Sequence, residues 1–367
     1  MAESNKTNPS YRTFDVEPLR AAIRLIVRGF GSSDTEVDLV ANNLIEANLT
    51  GHDSHGIGML PRYVEAYQQR GLMPNQHVRT MLDHGTTLRL DGGAGFGQVI
   101  GHEAMQLGID RARQHGSCIV ALGNSHHLGR IGAWAEQAAQ AGLISIHFVN
   151  VVARSIVAPY AGADARFGTN PFTAGIPFTG HDPVILDFAT SVLAQGKTRV
   201  AFNKGELVPP DCLLDDRGAA TREPRYAVNP PFGAILAFGQ HKGYGLALIC
   251  ELLGGALAAG VTQRSEDETQ RRILNGMLSV LIDPSALADR AAFEHEALAF
   301  IDWVKASPAR EGFGAVKVAG EPERETRVRR TASGIPVDQV TWSEILDAAG
   351  KLGVDRMTVN NAPNLLD

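Results

Sequence analysis

Apolar residues recur at two different periods along this chain, and the change of period separates helices from strands. Spacings of three and four residues predict an amphipathic helix over Val16–Phe30 that ends at Gly31. Ser33–Glu36 has the form of a capping box and predicts a second helix that continues through Asn48. The glycine-rich segment that follows therefore begins at the C-terminus of a helix.

The central part of the chain alternates between the two patterns, which is typical of α/β proteins. Strands are predicted at Leu88–Asp91, Cys118–Leu122, Ile144–Val149 and Val184–Leu186, and helices at Gln98–His115, with Gly116 as C-cap, and at Gly129–Ala141.

Three further helical patterns follow. Gly243–Ala259 is almost continuously apolar and is expected to be buried on most sides, while Ala291–Lys305 and Val340–Leu352 close the chain. We expect three parts: an N-terminal helical segment (1–90), an α/β domain (91–320) and a C-terminal segment (321–367) that packs back on the first.

Composition narrows the class of protein. A chain of 367 residues exceeds what one hydrophobic core usually fills, and 44% hydrophobic with 20% charged residues is typical of folded globular proteins. A formal net charge of −6 argues against nucleic acid as a partner. The basic cluster Arg324–Arg330 is expected to be a solvated face.

The cysteines indicate a reducing environment. Cys118, Cys212 and Cys250 are odd in number and far apart, which argues against a disulfide framework and against a zinc knuckle. The first residues are polar, and no run of about 18 uninterrupted apolar residues occurs. We expect a cytoplasmic protein without membrane association.

Two glycine runs invite a test for a dinucleotide fingerprint, and both fail it. Gly56 and Gly58 are followed by Pro61, and Gly95 and Gly97 by Ile100, where the fingerprint needs a third glycine. A nicotinamide cofactor would therefore bind outside the usual Rossmann arrangement.

The segment Gly51–Tyr63 carries the most distinctive chemistry. His55 beside the Ser54 hydroxyl is suited to transferring a proton. The alternative is that the histidines of this loop only donate hydrogen bonds to loop carbonyl groups. His52 and His55 lack the further ligands that zinc requires, so no metal is expected. No Gly-x-Ser-x-Gly elbow surrounds a serine, which leaves a Ser/His hydrolase as the weaker alternative.

A second histidine segment and three charged residues complete the candidates. His126 and His127 lie between a predicted strand and helix, where backbone N–H groups favour an anion, unless they are ordinary surface histidines. Asp187 at a strand end can accept hydrogen bonds from ribose hydroxyls or cap the segment that follows it. Lys197 and Lys242 each adjoin a glycine and suit a carboxylate or phosphate.

Taken together, these segments resemble the malate/L-lactate dehydrogenase family of the non-Rossmann type, and within it the hydroxycarboxylate dehydrogenase B branch. The resemblance rests on motifs in order along nearly the whole chain: Asp53–Gly56, Leu60–Tyr63, Asn124–Gly129, Gly168–Pro171, Asp187–Ser191, Gly196–Lys197, His241–Ala247, Gly320–Pro322 and Gly334–Pro336. It implies a mixed-sheet α/β cofactor domain, a homodimer, and NAD(P)-dependent interconversion of 2-hydroxy and 2-oxo acids.

The resemblance also implies roles for individual residues. His55, with Ser54, and His127 match the two histidines that members of the family use as acid or base. Thr169, Asn170 and Lys197 match positions near substrate. The remaining matches are to cofactor-binding positions: His126, Gly129, Arg130, Ile131, Asp187, Phe188, Ala189, Thr190, His241, Lys242, Gly320 and Glu321.

At two positions this chain departs from the pattern of the family, and both positions bear on which substrate is expected. Several members place a carboxylate-binding arginine where this chain has Met59, so Arg62 is the candidate here. Imino-acid reductases of the family carry Asp near the position of Lys197, which argues against that alternative. Asp187 favours NAD, whereas Arg130 would suit the 2′-phosphate of NADP.

Overall fold

The computed structural model describes residues 11–264 and 272–362. Its helices are α1 (Val16–Arg28), α2 (Asp34–Leu49), α3 (Leu60–Gln68), α4 (Gly97–His115), α5 (Gly132–Gln140), α6 (Gln195–Lys204), α7 (Arg225–Val228), α8 (His241–Cys250), α9 (Arg290–Lys305), α10 (Glu321–Ser333), α11 (Gln339–Lys351) and α12 (Arg356–Asn361). Its strands are β1 (Tyr11–Phe14), β2 (Arg79–Asp83), β3 (Thr87–Asp91), β4 (Ser117–His126), β5 (Ile144–Val152), β6 (Phe172–Phe178), β7 (His181–Phe188), β8 (Leu213–Leu214), β9 (Ala220–Thr221), β10 (Ala234–Ile235), β11 (Leu274–Ile282) and β12 (Ile335–Asp338).

A seven-stranded mixed sheet forms the centre of the molecule. Its strand order is β2-β3-β4-β11-β5-β6-β7, and only β3 and β4 run parallel. The late strand β11 lies between β4 and β5 and pairs with both in antiparallel register. The expected non-Rossmann α/β fold is confirmed, because a doubly wound dinucleotide domain would have parallel central strands.

The two ends of the chain share one core. β1 pairs with β12 in antiparallel register. Buried side chains of α1 to α3, such as Leu19, Leu44 and Tyr63, join Trp342 and Ile345 of α11 in a single apolar cluster. This helical unit presents the end of α2 and the start of α3 to the sheet.

Most predicted elements form within a few residues of their expected bounds. One difference matters for the site: β4 runs to His126, and α5 begins at Gly132 rather than at Gly129. Gly129 has φ +71°, which is incompatible with a right-handed helix. The backbone N–H of Gly132 donates to Asp187 Oδ2 at 2.9 Å, and this bond fixes the start of the helix.

The predicted capping box forms only in part. Ser33 Oγ accepts the N–H of Glu36 at 3.3 Å, as expected for an N-cap. The Glu36 carboxylate does not return to Ser33; it accepts the N–H of Asn75 at 2.9 and 3.0 Å. The Ser33 N–H donates instead to Asn75 Oδ1 at 2.7 Å, so a distant loop replaces the local half of the motif.

The prediction that the apolar helix is buried on most sides is wrong for the single chain. α8 continues as a π-helical segment, Glu251–Ala259. An added Cβ at Gly254 would lie 2.7 Å from the Phe148 carbonyl oxygen, so the side of the helix that carries this glycine packs directly against the sheet. The opposite side exposes apolar residues: Leu248, Ile249, Leu252 and Leu257.

By length and composition alone this helix, His241–Ala259, could cross a bilayer, a test that core helices of soluble proteins also pass. The helix includes His241, Lys242 and Glu251, so the sequence-based expectation that no run of about 18 uninterrupted apolar residues occurs still holds. Glu251 interrupts the apolar run and is buried among hydrogen-bond donors from Asn170 and Gln263. The helix thus has one side that belongs to the protein interior and one that faces outward.

The basic cluster Arg324–Arg330 lies on α10 and is more than a solvated face. Arg330 donates to both carboxylate oxygens of Asp53, at 2.7 and 3.0 Å, and Arg327 contacts Glu46 of α2 at 2.7 Å. These ion pairs attach α10 to the segment that carries Ser54 and His55.

Candidate active site

The Ser54–His55 segment is held by a network around one asparagine. Two short 3₁₀ turns, Asp53–His55 and Ile57–Met59, join α2 to α3. Asn48 Nδ2 donates to Asp53 at 2.6 Å, while Asn48 Oδ1 accepts the N–H of Ile57 at 2.9 Å. An added Cβ at Gly56 would lie 2.1 Å from Asn48 Oδ1, so any larger residue there would displace the Asn48 side chain.

In the His127 segment it is the backbone that is held, by one asparagine side chain and by the start of α4. Leu128 N–H donates to Asn275 Oδ1 of β11 at 2.8 Å. Helix α4 starts so close that a Cβ at Gly97 would lie 2.1 Å from the His127 carbonyl oxygen. The position of His127 therefore depends on the central strand and on the first turn of α4.

The structure brings His55 and His127 together. Their rings stack with centroids 5.6 Å apart and planes 14° from parallel. His55 Nδ1 lies 3.0 Å from Ser54 Oγ, and His127 Nδ1 lies 2.8 Å from the Tyr63 hydroxyl. Neither Nε2 atom has a hydrogen-bond partner among residues 11–264 and 272–362, which leaves that atom of each ring for a ligand.

Both imidazoles are neutral at physiological pH. Burial lowers the pKa of His55 to about 4; nearby Asp187 opposes this shift, while His52 and Arg130 add to it. The pKa of His127 is also lowered well below its usual value by burial and then by the adjacent His55 and His126. A neutral ring can accept a proton from a hydroxyl group.

His126 does not join this pair. It is 1% exposed, and neither ring nitrogen has a partner in the described part of the chain. Burial lowers its pKa to about 3, and its ring packs edge-on against Tyr63 at 5.3 Å. This placement does not support the predicted cofactor contact.

Asp187 and Arg130 lie beside the histidines, and each is already engaged. Asp187 accepts the N–H of Gly132 at 2.9 Å and the hydroxyl of Thr173 at 2.8 Å. Arg130 is 3% exposed and paired with Glu136. Asp187 thus caps α5, which lies earlier in the chain, and not the segment that follows it as the sequence-based interpretation had it; the first N–H of α5 is already bonded to a carboxylate.

The start of α6 approaches Ser54. An added Cβ at Gly196 would lie 2.8 Å from Ser54 Cβ. No side chain caps the N-terminus of α6, and exposed Lys197 follows in its first turn. The described hydrogen bonds and ion pairs include none from the Lys197 ammonium group. This side of the site therefore offers positive charge to an anion.

No metal site accompanies these residues. Within 11–264 and 272–362, no three His, Cys, Asp or Glu side chains gather closely enough to bind an ion.

Comparison with known proteins decides the family. A family model described as malate/L-lactate dehydrogenase matches residues 14–346. The chain belongs to this family. Hydroxycarboxylate dehydrogenase B of Escherichia coli K12 is 48% identical over 348 residues, covering 94% of this chain and 96% of the relative. L-lactate dehydrogenase of Cupriavidus necator is 36% identical over 319 residues, covering 86% and 91%.

The fold agrees with this membership. A solved Escherichia coli structure described as a malate/lactate dehydrogenase superimposes with a TM-score of 0.93 at 47% identity, covering 97% of this chain and 99% of the other. Members of the malate/L-lactate dehydrogenase family are oxidoreductases of 2-hydroxy acids, and this chain is one of them.

Several predicted site residues of this dehydrogenase use their side chains in hydrogen bonds within the protein, so these side chains are not free to bind a ligand. Asn170 is fully buried; its amide donates to Glu251 at 2.7 Å and its oxygen accepts the N–H of Val151 at 3.2 Å. Thr190 Oγ1 donates to the carbonyl oxygens of Thr169 and Asn170 at 2.9 and 3.0 Å. These placements support a structural role for the Thr169–Asn170 turn and do not support a direct substrate contact by Asn170.

The remaining candidates lie at the end of β7 and at the starts of α8 and α10. Phe188 packs against Phe238 with ring centroids 5.2 Å apart, and Ala189 follows it. His241 and Lys242 are exposed at the start of α8. Gly320 and Glu321 begin α10 next to β7, where Ile185 N–H donates to the Ala319 carbonyl at 3.2 Å.

Three residues near the histidines escaped the sequence-based prediction. Tyr63 and Gln98 form a hydrogen-bonded chain with His127, and Gln98 carried no sequence signal because it lies in an ordinary helical pattern. Arg154 stacks over the Phe232 ring at 3.8 Å, and its pKa is lowered by burial and by the positive charge of Arg62. Only the fold places Arg154 near Arg62.

Proposed function

We propose that this protein transfers a hydride between NAD and C2 of a 2-hydroxy or 2-oxo carboxylic acid of the malate, lactate or aromatic type. The stacked, neutral pair of His55 and His127 is the observation that supports this most strongly, because oxidation of a hydroxyl group needs a base in reach of its proton. The family membership fixes the reaction class, and the site supplies matching proton chemistry.

The residues present fit a nicotinamide cofactor and an anionic substrate. The cofactor, when bound, supplies the hydride acceptor. The main chain of Gly129–Ile131 and of Asp187–Thr190, together with His241, Lys242, Gly320 and Glu321, would hold it, because the side chains of Arg130, Asp187 and Thr190 are already paired. Arg62 and Lys197 would orient the substrate carboxylate, and His55 would exchange the hydroxyl proton. NAD is favoured over NADP because Arg130 is already paired with Glu136 and is not free for a 2′-phosphate.

The outward-facing side of α8 supports a homodimer as the working assembly. Leu252 is 47% and Leu257 62% exposed, on a helix whose other side is in the interior. A second copy of this chain is the proposed cover. Light scattering of the wild-type protein and of Leu257→Lys tests it: a dimer that the substitution dissociates is expected, and a monomeric wild type would contradict it.

Initial rates test the reaction. We expect NADH consumption with a 2-oxo acid from a panel of oxaloacetate, pyruvate and phenylpyruvate, with lower rates for NADPH and for a cyclic imine. A cyclic imine as the best substrate would favour the imino-acid reductase instead. Ester or amide cleavage without a change at the reduced-nicotinamide band, abolished by Ser54→Ala, would favour a hydrolase.

A further inference from the structure

Tyr63 connects His127 to the interior of the helical unit. Its side chain is fully buried, yet its hydroxyl lies 2.8 Å from His127 Nδ1. On its other side the hydroxyl oxygen accepts a hydrogen bond from Gln98 Nε2 at 2.9 Å. Gln98 is itself 2% exposed and lies in the first turn of α4.

The direction of these bonds follows from the groups involved. An amide nitrogen only donates, so the Tyr63 oxygen accepts from Gln98. The single hydrogen of the Tyr63 hydroxyl is then available for His127 Nδ1. Burial raises the pKa of Tyr63 well above its usual value, which keeps that hydrogen in place. A ring that accepts at Nδ1 carries its own hydrogen on Nε2.

We propose that Tyr63, oriented by Gln98, is a positioning residue that holds His127 in the Nε2–H tautomer, so that His127 donates a hydrogen bond to the C2 oxygen of the substrate. This inference rests on the proposed function for the identity of that oxygen. His127 touches the substrate, and Tyr63 acts only through His127.

The two histidines then have different tasks. His55 faces Ser54 Oγ. This hydroxyl can both donate and accept a hydrogen bond, so it can pair with the ring in either protonation state. His127 faces a hydroxyl whose oxygen already accepts from Gln98, which favours donation of its one hydrogen to His127. His55 exchanges the proton, while His127 stabilises the negative charge that develops on oxygen as hydride moves.

Three variants separate positioning from general packing. Tyr63→Phe removes the donor to Nδ1 and keeps the ring, and Gln98→Met removes the amide and keeps the volume. Tyr67→Phe is the matched control, because Tyr67 lies one turn further along α3 and its ring packs against Phe30 at 5.2 Å. Melting temperatures establish that each variant is folded.

The first readout is independent of activity. Nitrogen-15 spectra of histidine-labelled protein report which ring nitrogen carries hydrogen, and the His127 signals are those that vanish in His127→Gln. The wild-type protein and Tyr67→Phe are expected to show the Nε2–H form of His127, and Tyr63→Phe a mixture of the two tautomers.

The second readout is steady-state reduction of the best 2-oxo acid. Because the bond to oxygen strengthens in the transition state, Tyr63→Phe should lower kcat about three- to tenfold with little change in the KM for cofactor. Gln98→Met should lower kcat less, and Tyr67→Phe should not change it.

Either of two results overturns the inference: a wild-type His127 in the Nδ1–H form, or a Tyr63→Phe protein with unchanged tautomer and kcat. A wild-type protein that reduces no 2-oxo acid would refute the proposed function instead, and the spectra would still decide the tautomer.

Discussion

The two histidine segments meet at one site but are built in opposite ways. The Ser54–His55 segment is a loop whose shape depends on polar side chains, chiefly Asn48 and the Asp53–Arg330 ion pair. The His127 segment continues a central strand and is confined by the backbone of α4. One half of the site can therefore adjust through side chains, whereas the other is fixed by the sheet.

This difference suits a division of chemical work. A proton-exchanging group must tolerate two protonation states, which an environment of rotatable hydroxyls and partly exposed ion pairs allows. A hydrogen-bond donor to a developing oxyanion is most effective when it is already in position. His55 has the first environment and His127 the second.

The largest expected effect distinguishes the two histidines directly. His55→Gln should lower turnover by roughly 10²–10⁴-fold, the usual contribution of a positioned acid or base. His127→Gln keeps an N–H donor and should lower turnover by about tenfold or less. Steady-state rates at pH 7 with saturating cofactor measure both. A larger loss at His127 than at His55 would reverse the assignment of their tasks.

The second prediction compares two glycines. Gly97→Ala forces a Cβ against the His127 backbone and should lower the free energy of unfolding by about 3 kcal/mol, with loss of activity. Gly56→Ala meets only the Asn48 side chain, which can move, and should cost about half as much. Urea denaturation of both variants provides the comparison, and equal losses would show that the segments are equally rigid.

The third prediction concerns the ion pair that anchors the loop. Arg330→Met should lower the free energy of unfolding by about 1 kcal/mol, since Asp53 is half exposed and solvent screens the pair. Turnover should fall by more than the loss of stability alone would explain. The reason is that Asp53 directly precedes Ser54, so a change in the position of Asp53 also moves Ser54. Arg329→Met, next to it on the exposed face of α10, is the control. Unchanged turnover would mean that Asn48 alone holds the loop.

The last prediction concerns buried His126, next to His127, and the dependence of stability on pH. The pKa of His126 is about 3 in the folded protein and about 6.5 when unfolded, so the unfolded chain takes up a proton first as pH falls. Its contribution to stability is complete above pH 6.5 and declines from there toward pH 3. His126→Phe should therefore lessen the loss of stability between pH 7 and pH 5 by about 1–2 kcal/mol. Urea denaturation at the two pH values measures this difference, and an equal loss in wild type and variant would contradict it.

The sequence predicted local features well where local chemistry decides them. The amphipathic helices α1 and α11, the Gly116 C-cap with φ +84°, and the Ser33 N-cap depend on residues within a few positions of each other. The alternation of strands and helices gave the α/β class, and the motifs of residues 53–63 and 124–129 gave the family, which the comparisons confirm.

Contacts between distant parts of the chain were beyond local reasoning. β11 lies about 150 residues after its neighbour β4, and no periodicity states that two such strands are adjacent. For the same reason, no local pattern indicates that Gln98 reaches Tyr63, or that Asn170 and His126 are enclosed by the protein.

The sequence by itself therefore singled out the residues on which the proposed function rests: Ser54, His55 and His127 belong to motifs that neighbouring glycines make conspicuous. Only the tertiary structure decided how they act. The pKa values depend on burial, the tautomer of His127 depends on a hydroxyl 64 residues away, and the stacked geometry depends on a loop and a strand meeting. These are properties of spatial neighbours, and sequence order does not specify spatial neighbours.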